Sequence, residues 1–450
     1  MSLPRGLTPL RHRGFSLLAG GQLASNVGDA FYAVALPWYV LADHGGALLL
    51  ATVLAAYGIP RTALVAVGGH ASDRWRPWTV MMASDSVRAV GVAVLAAVAF
   101  SGPAKAVVLV PVAAVIGAGE GLFLPGSFSI IPSLLPDEDL QAGNALSASG
   151  TQLAGLVGPA IGGIVIAVVG PATAFVVDAA SFAVSAATLA GIRAYQLHAG
   201  QEPAPVDAGT SAESEQAEAP PGGLEEDPRI PAKVPARPLR LRQVLRSERV
   251  LQLIVLVTLA ANLGSGGLGE VALPSLAHGP LHAGAAGYGG LIASIGAGAL
   301  VGTLAAGQIR RLGRPAVVAS VAFLAEGVFM AVTPYLHSPY LAGISLALFG
   351  GLNGFGNVVA ITVLQRWAAP ELLGRVMGVI LLASFGIFPV SVVLAGAIVH
   401  SFGPDPFFPA AGGVLVLSII VALSQRRWRE FGMPASSVGA TGARREVVAP

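Results

Sequence analysis

Apolar residues in this 450-residue chain come in long unbroken runs, not in the alternation that marks a half-buried strand or the one-sided stripe of a surface helix. Twelve runs are read, at 15–42, 48–68, 79–100, 106–134, 143–168, 171–192, 250–277, 284–306, 315–335, 339–364, 376–400 and 405–425. Crossing about 30 Å of hydrocarbon takes about 20 apolar residues in a helix, so each run predicts one transmembrane helix. The first run is too long, and too polar in its middle, for the apolar core of a signal peptide, and no small-residue cleavage site follows it. It is read as a retained helix.

Basic residues fall between the runs with a strong bias. Arg5, Arg11 and Arg13 precede the first run, Arg74 and Arg76 follow the second, and eight basic residues lie from Arg193 to Arg249. Arg310, Arg311, Arg314, Arg366, Arg375, Arg426, Arg427, Arg429, Arg444 and Arg445 continue on the same side, whereas the opposite connections hold Lys105 alone. Positively charged loops stay in the cytoplasm, so both termini are expected there, in a multi-pass protein of the cell membrane. Asp137, Glu138 and Asp139 sit on the inner side too, but acidic residues weigh little in this rule.

The two halves of the chain repeat each other. Asn26-Val-Gly28 and Ala35-Leu36-Pro37 in the first run return as Asn262-Leu-Gly264 and Ala272-Leu273-Pro274 in the seventh, with one extra residue in between. Gly170-Pro171 returns as Gly403-Pro404, and the offsets all fall between 233 and 238. Six spans per half make the halves parallel, with a substrate site expected near the midplane between them. The expected organisation is a six-helix bundle at 1–192, a largely flexible cytoplasmic linker at 193–248, a second bundle at 249–425 and a cytoplasmic tail at 426–450. The linker's first part is rich in Pro, Ala, Glu and Gly and too poor in apolar residues to pack. Its basic later part, 237–249, reads as ordinary positive-inside flanking or as a short interfacial helix.

Several motifs carry a family resemblance. The stretch 69–77, with Gly69, Asp73, Arg74 and Arg76, read together with Asp85 and Arg88, resembles the cytoplasmic loop signature of the major facilitator superfamily. It departs at Arg76, where Gly is usual, and the second copy lacks the Asp. Gly150, Gly158, Pro159, Gly162 and Gly163 resemble the fifth-helix motif associated with antiporters. Together with the tract from Pro132 to Leu146, they make the chain most similar to the macrolide-efflux and siderophore-exporter branch. The resemblance implies twelve helices in two pseudo-symmetric bundles, a drug:proton antiporter type of activity, and a cavity lined by the first, fourth, seventh and tenth helices. It also implies that Asp73 lies near the eleventh helix, around Arg375, as part of a gate on the inner side. Simple flanking charge explains the two arginines without such a gate.

Ionisable residues inside the apolar runs are costly and therefore candidates for function. Asp29 and Glu120 lie near the midpoints of runs one and four and are the proton-coupling candidates, because a carboxyl in a partly dehydrated cavity can load and release protons near neutral pH. Arg61, Asn26, Asn262 and Glu270 are the substrate-cavity candidates. The two asparagines could instead hold helix pairs together, and Glu270 could be a plain rim residue. Glu270 follows the glycine-rich stretch 264–269, which is expected to unwind locally. Asp178 and Glu326 fall on helices that are usually peripheral and are read as structural. Asp85 and Arg88 are three residues apart, so they can pair along one helix face near the inner end.

Composition excludes other classes. Only 11% of residues are charged, against roughly a quarter in a soluble domain, which argues against a nucleic-acid binder or an ordinary cytosolic enzyme. There is no Cys, no phosphate-loop Gly-Lys-Ser/Thr and no His-Glu-x-x-His. Neither a metal, a cofactor nor ATP hydrolysis is expected. The sequence predicts a monomeric secondary transporter that exports amphipathic small molecules against protons. Uptake by the same fold, or a non-transporting sensor or channel, are the alternatives.

Overall fold

The computed structural model describes residues 5–42, 45–103, 105–199, 249–309, 312–367 and 370–433. Most of the expected linker and tail therefore lies outside the described residues. Twelve long helices follow one another: α1 (Arg13–Ala42), α2 (Gly46–Trp75), α3 (Pro77–Ser101), α4 (Ala106–Ile130), α5 (Asp137–Val169) and α6 (Pro171–Ala199) make the first half. The second half is α7 (Arg249–His278), α8 (Gly284–Gln308), α9 (Pro315–Val332), α10 (Pro339–Trp367), α11 (Pro370–Phe402) and α12 (Phe407–Ser424). Each coincides with one apolar run of the sequence, and among the described residues there is no strand.

Eleven of the twelve are long and apolar enough to cross a membrane. The exception is α1, whose Gln22, Ser25, Asn26 and Asp29 lower its mean hydropathy because part of this helix faces protein and not lipid. Helices α5, α6 and α11 extend six or seven residues beyond their runs, as helical turns outside the hydrocarbon need no apolar side chains. Proline opens α3, α6, α9, α10 and α11, where its missing N–H breaks no hydrogen bond. Gly170 (φ 86°) and Gly403 (φ 81°) end α5 and α11 in the left-handed region that glycine tolerates. Arg76, between α2 and α3, has φ 63°. A glycine would adopt this conformation without strain, which accounts for the family's preference at that place; an arginine there costs about 1–3 kcal/mol.

The helix pairing is itself repeated. In the first half α1 packs on α5 and α6, α2 on α4, and α3 on α4 and α6. In the second half α7 packs on α11 and α12, α8 on α10, and α9 on α10 and α12, the same graph with six added to each helix number. The halves meet through α5 against α8 and α2 against α11, which the same operation exchanges. This is the two-bundle architecture expected from the sequence repeat.

Glycines set the closest approaches. A Cβ on Gly117 would stand 2.0 Å from the Tyr57 carbonyl oxygen, and one on Gly350 would stand 2.1 Å from that of Ile295. Gly121 against Arg61 and Gly354 against Ala299 repeat the arrangement one turn on, both at 2.4 Å. Such crossings replace hydrophobic driving force, which is absent between helices in lipid, by dense backbone packing.

The end of the bundle away from the chain termini is closed. Leu36 and Val40 of α1, with Leu273 and Leu276 of α7, are buried there in one apolar cluster spanning both halves. Trp38 meets His278 edge to face, with ring centres 5.3 Å apart. At the terminal end the start of the expected tail is packed, not loose. In the short helix α13 (Arg426–Arg429), Trp428 is buried and donates to Ser320 Oγ at 2.9 Å.

Candidate functional site: a charged cavity between the halves

Four of the residues singled out in the sequence meet in one place. Asp29 (α1), Arg61 (α2), Glu120 (α4) and Glu270 (α7) line a cavity of ≈190 Å³, together with Tyr32, Tyr57, Leu54 and Phe388. The polar groups come from the first half and from α7, and Phe388 closes the cavity from α11.

Glu120 is held from two sides. Arg61 Nη2 is 3.0 Å from its Oε1, and the Tyr57 hydroxyl donates to its Oε2. Tyr57 and Arg61 are four residues apart on α2, so both reach the same turn of α4. The Arg61 guanidinium also lies 5.0 Å from the Phe385 ring centre of α11, and Thr62 Oγ1 donates to the Phe385 carbonyl at 3.2 Å. The ion pair inside the first half is thus linked directly to the second half.

Asp29 has a different partner. Arg88 Nη2 lies 2.7 Å from its Oδ1, and Arg88 Nη1 lies 3.5 Å from Oδ1 of Asp85 on its own helix. Arg88 is 3% exposed and Asp85 fully buried, so this pair belongs to the bundle interior and not to the inner loop with which the sequence motif grouped it. Asp85 Oδ2 accepts from Ser185 Oγ of α6 at 2.6 Å.

Glu270 sits in a π turn, Leu268–Ala272, that interrupts α7. The expected unwinding at 264–269 does not occur: Gly264 to Gly267 stay α-helical. The extra residue between Gly264 and Pro274, relative to α1, is accommodated by widening one turn, the usual way a helix absorbs a single insertion. Among the described residues Glu270 has no hydrogen-bond or ion-pair partner.

The asparagines resolve as helix ties. Asn26 Nδ2 donates to Thr151 Oγ1 at 3.1 Å, joining α1 to α5, and Asn262 Nδ2 lies 3.4 Å from Ser384 Oγ, joining α7 to α11. Neither lines the cavity. The fifth-helix glycines also divide. Gly158 and Gly162 let α1 approach, at Ala30 and Phe31, whereas Pro159 and Gly163 meet Gly289 and Ala285 of α8. Gly150 has only Leu23 nearby, at 3.8 Å. Arg74, in the last turn of α2, and Arg76, just past it, are exposed. Gly69 falls within α2, while the side chains of Asp73 and Arg375 lie outside what is described.

Asp178 and Glu326 are more deeply buried than their peripheral helices suggest, at 1% and 0% exposure. Glu326 Oε1 accepts from Asn353 Nδ2 at 3.0 Å, while its Oε2 has no partner. Asp178 abuts α1 at Gly28, where a Cβ would stand 2.6 Å from its Oδ1. Sequence reading missed Tyr57 and Arg88 as cavity partners. The Tyr57–Arg61 spacing of four was the available signal for the first; nothing local signals the second.

Residues 18–386 match the family model of the Major Facilitator Superfamily. The chain belongs to that superfamily. Among relatives, it is 28% identical over 425 residues to the multidrug efflux pump Tap of Mycobacterium tuberculosis (strain ATCC 25618 / H37Rv), covering 93% of this chain and 94% of that protein. It is 30% identical over 158 residues to the enterobactin exporter EntS of Citrobacter koseri, covering 34% of this chain and 37% of that one. The fold matches that of a POT family transporter in complex with a thioalcohol-conjugated peptide, at TM-score 0.67 and 13% identity over 92% of this chain and 96% of the other. It also matches a bacterial homologue of the iron transporter ferroportin in an inward-facing state, at TM-score 0.66 and 14% identity over 93% and 98% of the two chains. As a member of the major facilitator superfamily the chain is a multi-pass membrane transporter, and its charged cavity occupies the place between the bundles where this architecture holds substrate.

Proposed function

We propose that this chain is a monomeric, proton-coupled exporter of amphipathic small molecules, working by alternating access in the cell membrane with both termini in the cytoplasm. The observation that carries the reading is the meeting of Asp29, Arg61, Glu120 and Glu270 at one cavity between the halves. The efflux names of both relatives support the direction. The arginine bias of the terminal-side loops supports the orientation. On that orientation the sealed apolar end faces outward. Residues 69–76, with exposed Arg74 and Arg76, form the inner gate in this reading.

Coupling follows from the partners of Glu120. A proton on Glu120 removes the charge that holds Arg61 and frees the Tyr57 hydroxyl. Arg61 also touches Phe385 of α11, so the change reaches the contact between the halves. The cavity of ≈190 Å³ is smaller than the 300–1,000 Å³ or so of a drug-sized site, so the halves must part further to admit substrate. Tyr32, Tyr57 and Phe388 offer ring faces to the apolar part of an amphipathic substrate, and the carboxylates offer its polar part a partner. A proton moving down 100 mV supplies about 2.3 kcal/mol, enough to bias such a cycle. Inside-out vesicles with an acidified lumen are expected to accumulate ethidium or another efflux substrate from a panel. Glu120→Gln vesicles are expected to equilibrate the same compound without accumulating it. Accumulation by Glu120→Gln equal to the parent overturns the coupling, and no accumulation across a broad panel overturns export.

A further inference from the structure

Behind the cavity, one cation is paired with two carboxyl groups, and a third, Asp178, lies nearby on α6 without an ion pair to it. Arg88 of α3 contacts Asp29 of α1 at 2.7 Å and Asp85 of its own helix at 3.5 Å. Its guanidinium lies 3.9 Å from the Phe182 ring centre of α6. Asp178, Phe182 and Ser185 are spaced i, i+4, i+7 on α6 and so lie along one side of that helix, where Phe182 and Ser185 meet α3 and Asp178 meets α1. On that face Asp178 sits a turn to one side of the guanidinium, and Ser185, bonded to Asp85, sits on the other. Gly28 brings α1 against Asp178, and the next residue on α1 is Asp29. The groups acting electrostatically on Asp178 are Asp29 of α1 and Asp85 and Arg88 of α3, with Tyr32 of α1 feeling its charge in turn.

One guanidinium cannot compensate three carboxylates when two of them, Asp85 and Asp178, are buried, since an unpaired buried charge costs several kcal/mol and takes up a proton instead. Asp29 is paired and 43% exposed toward the cavity; Asp85 has Arg88 and the Ser185 hydroxyl. Among the described residues Asp178 has only Ser181 Oγ, at 3.4 Å. We propose that Asp29 and Asp178 share a single proton and that Arg88 pairs whichever of the two is ionised. The exchange is balanced: the proton leaves a carboxyl oxygen of Asp178 and arrives on Asp29 while Arg88 passes from Asp29 to Asp178, with no net change in charge. The cluster thereby stores a proton away from substrate and delivers it to the cavity wall.

Infrared spectra of the purified full chain, carrying isotope-labelled aspartate, test this without any substrate. At neutral pH the parent is expected to show one buried protonated aspartate. Asp178→Asn removes that band. Asp29→Asn removes it too, because Arg88 then passes to Asp178 and ionises it; this variant leaves Asp178 untouched and reads the same proton if Asp178→Asn fails to fold. Arg88→Gln is expected to add a second protonated band. A parent lacking the band, or an Asp29→Asn protein that keeps it, overturns the proposal. Transport use of the proton rests on the proton-coupled reading above. There, Asp178→Asn vesicles are expected to equilibrate ethidium but to accumulate it about tenfold less or worse under an acid lumen. Undiminished accumulation overturns that use, while failure of the parent to accumulate ethidium leaves the infrared pattern to decide on the proton.

Discussion

Helices α2 and α4 in the first half and α8 and α10 in the second are built alike and furnished differently. Gly117 and Gly121 meet the Tyr57 and Arg61 carbonyls, and Gly350 and Gly354 meet those of Ile295 and Ala299, at nearly identical spacings. Yet the side chains at matching places are Tyr57, Arg61 and Glu120 on one side and Ile295, Ala299 and Asn353 on the other. The same holds where α1 meets α6 and α7 meets α12: Gly28 admits Asp178, and Gly264 admits Ala411. Backbone geometry is therefore the shared inheritance of the repeat, while ionisable chemistry is concentrated in the first half. The second half contributes Glu270, on the one turn of α7 where the repeat is broken by an inserted residue.

The largest effect that sharpens this contrast is expected from Arg61→Ala. It leaves Glu120 with the Tyr57 hydroxyl alone, and removing one partner of a buried pair costs about 3–5 kcal/mol at a pH high enough to keep Glu120 ionised. Ala299→Ser at the matching place has no partner to lose and is expected to change stability by less than about 0.5 kcal/mol. Thermal unfolding of the two detergent-purified variants compares them directly. Equal losses would mean that the polar pair is not what distinguishes the halves.

The glycine crossings test the other side of the comparison. Gly117→Ala and Gly350→Ala each place a Cβ near 2 Å from a backbone carbonyl, so the helices must move apart in both. Each is expected to destabilise by about 3 kcal/mol, and the two to agree within about 1 kcal/mol. A silent substitution in either half breaks the equivalence of the crossings. Gly28→Ala and Gly264→Ala are expected to differ instead. The first forces a Cβ to 2.0 Å from Ser181 Oγ and 2.6 Å from Asp178 Oδ1, whereas the second finds Ala411 Cβ at 3.3 Å. Losses of about 1–3 kcal/mol and about 0.5 kcal/mol follow, read as shifts in unfolding midpoint.

Much of this was legible in the sequence because membrane burial leaves a one-dimensional record. Run length gave the twelve helices, and the returning Asn-x-Gly and Ala-Leu-Pro triplets gave the two halves together with the extra residue that becomes the π turn. Asp29, Arg61, Glu120 and Glu270 stood out because a charge inside an apolar run is costly to bury and rare without a use. What stayed hidden depended on which face of a helix points where. Asp85 and Arg88 read as a pair near the loop, because a spacing of three says nothing of the third partner, Asp29, across the bundle. Asn26 and Asn262 read equally well as cavity or packing residues until Thr151 and Ser384 supplied acceptors on neighbouring helices. Asp178 and Glu326 could be set on peripheral helices, but not at their buried depth.

The smallest effect is expected from Glu326→Gln, and it bears most directly on where the chemistry lies. Glu326 occupies the place in α9 that Arg88 occupies in α3, each eleven residues after the opening proline. It is fully buried, but no cation is paired with it among the described residues; its only hydrogen-bond donor is Asn353. A carboxyl in that setting is tolerated as a neutral group. Glutamine keeps the oxygen that accepts from Asn353 and replaces an oxygen that has no partner, so the change is expected within about 1 kcal/mol in stability. Because Glu326 lies off the cavity, gradient-driven accumulation in inside-out vesicles is expected to stay within about twofold of the parent, a difference of roughly 0.4 kcal/mol. Glu120→Gln in the same assay loses accumulation. Should Glu326→Gln abolish accumulation as well, the second half carries a proton site of its own and the division of labour between the halves fails.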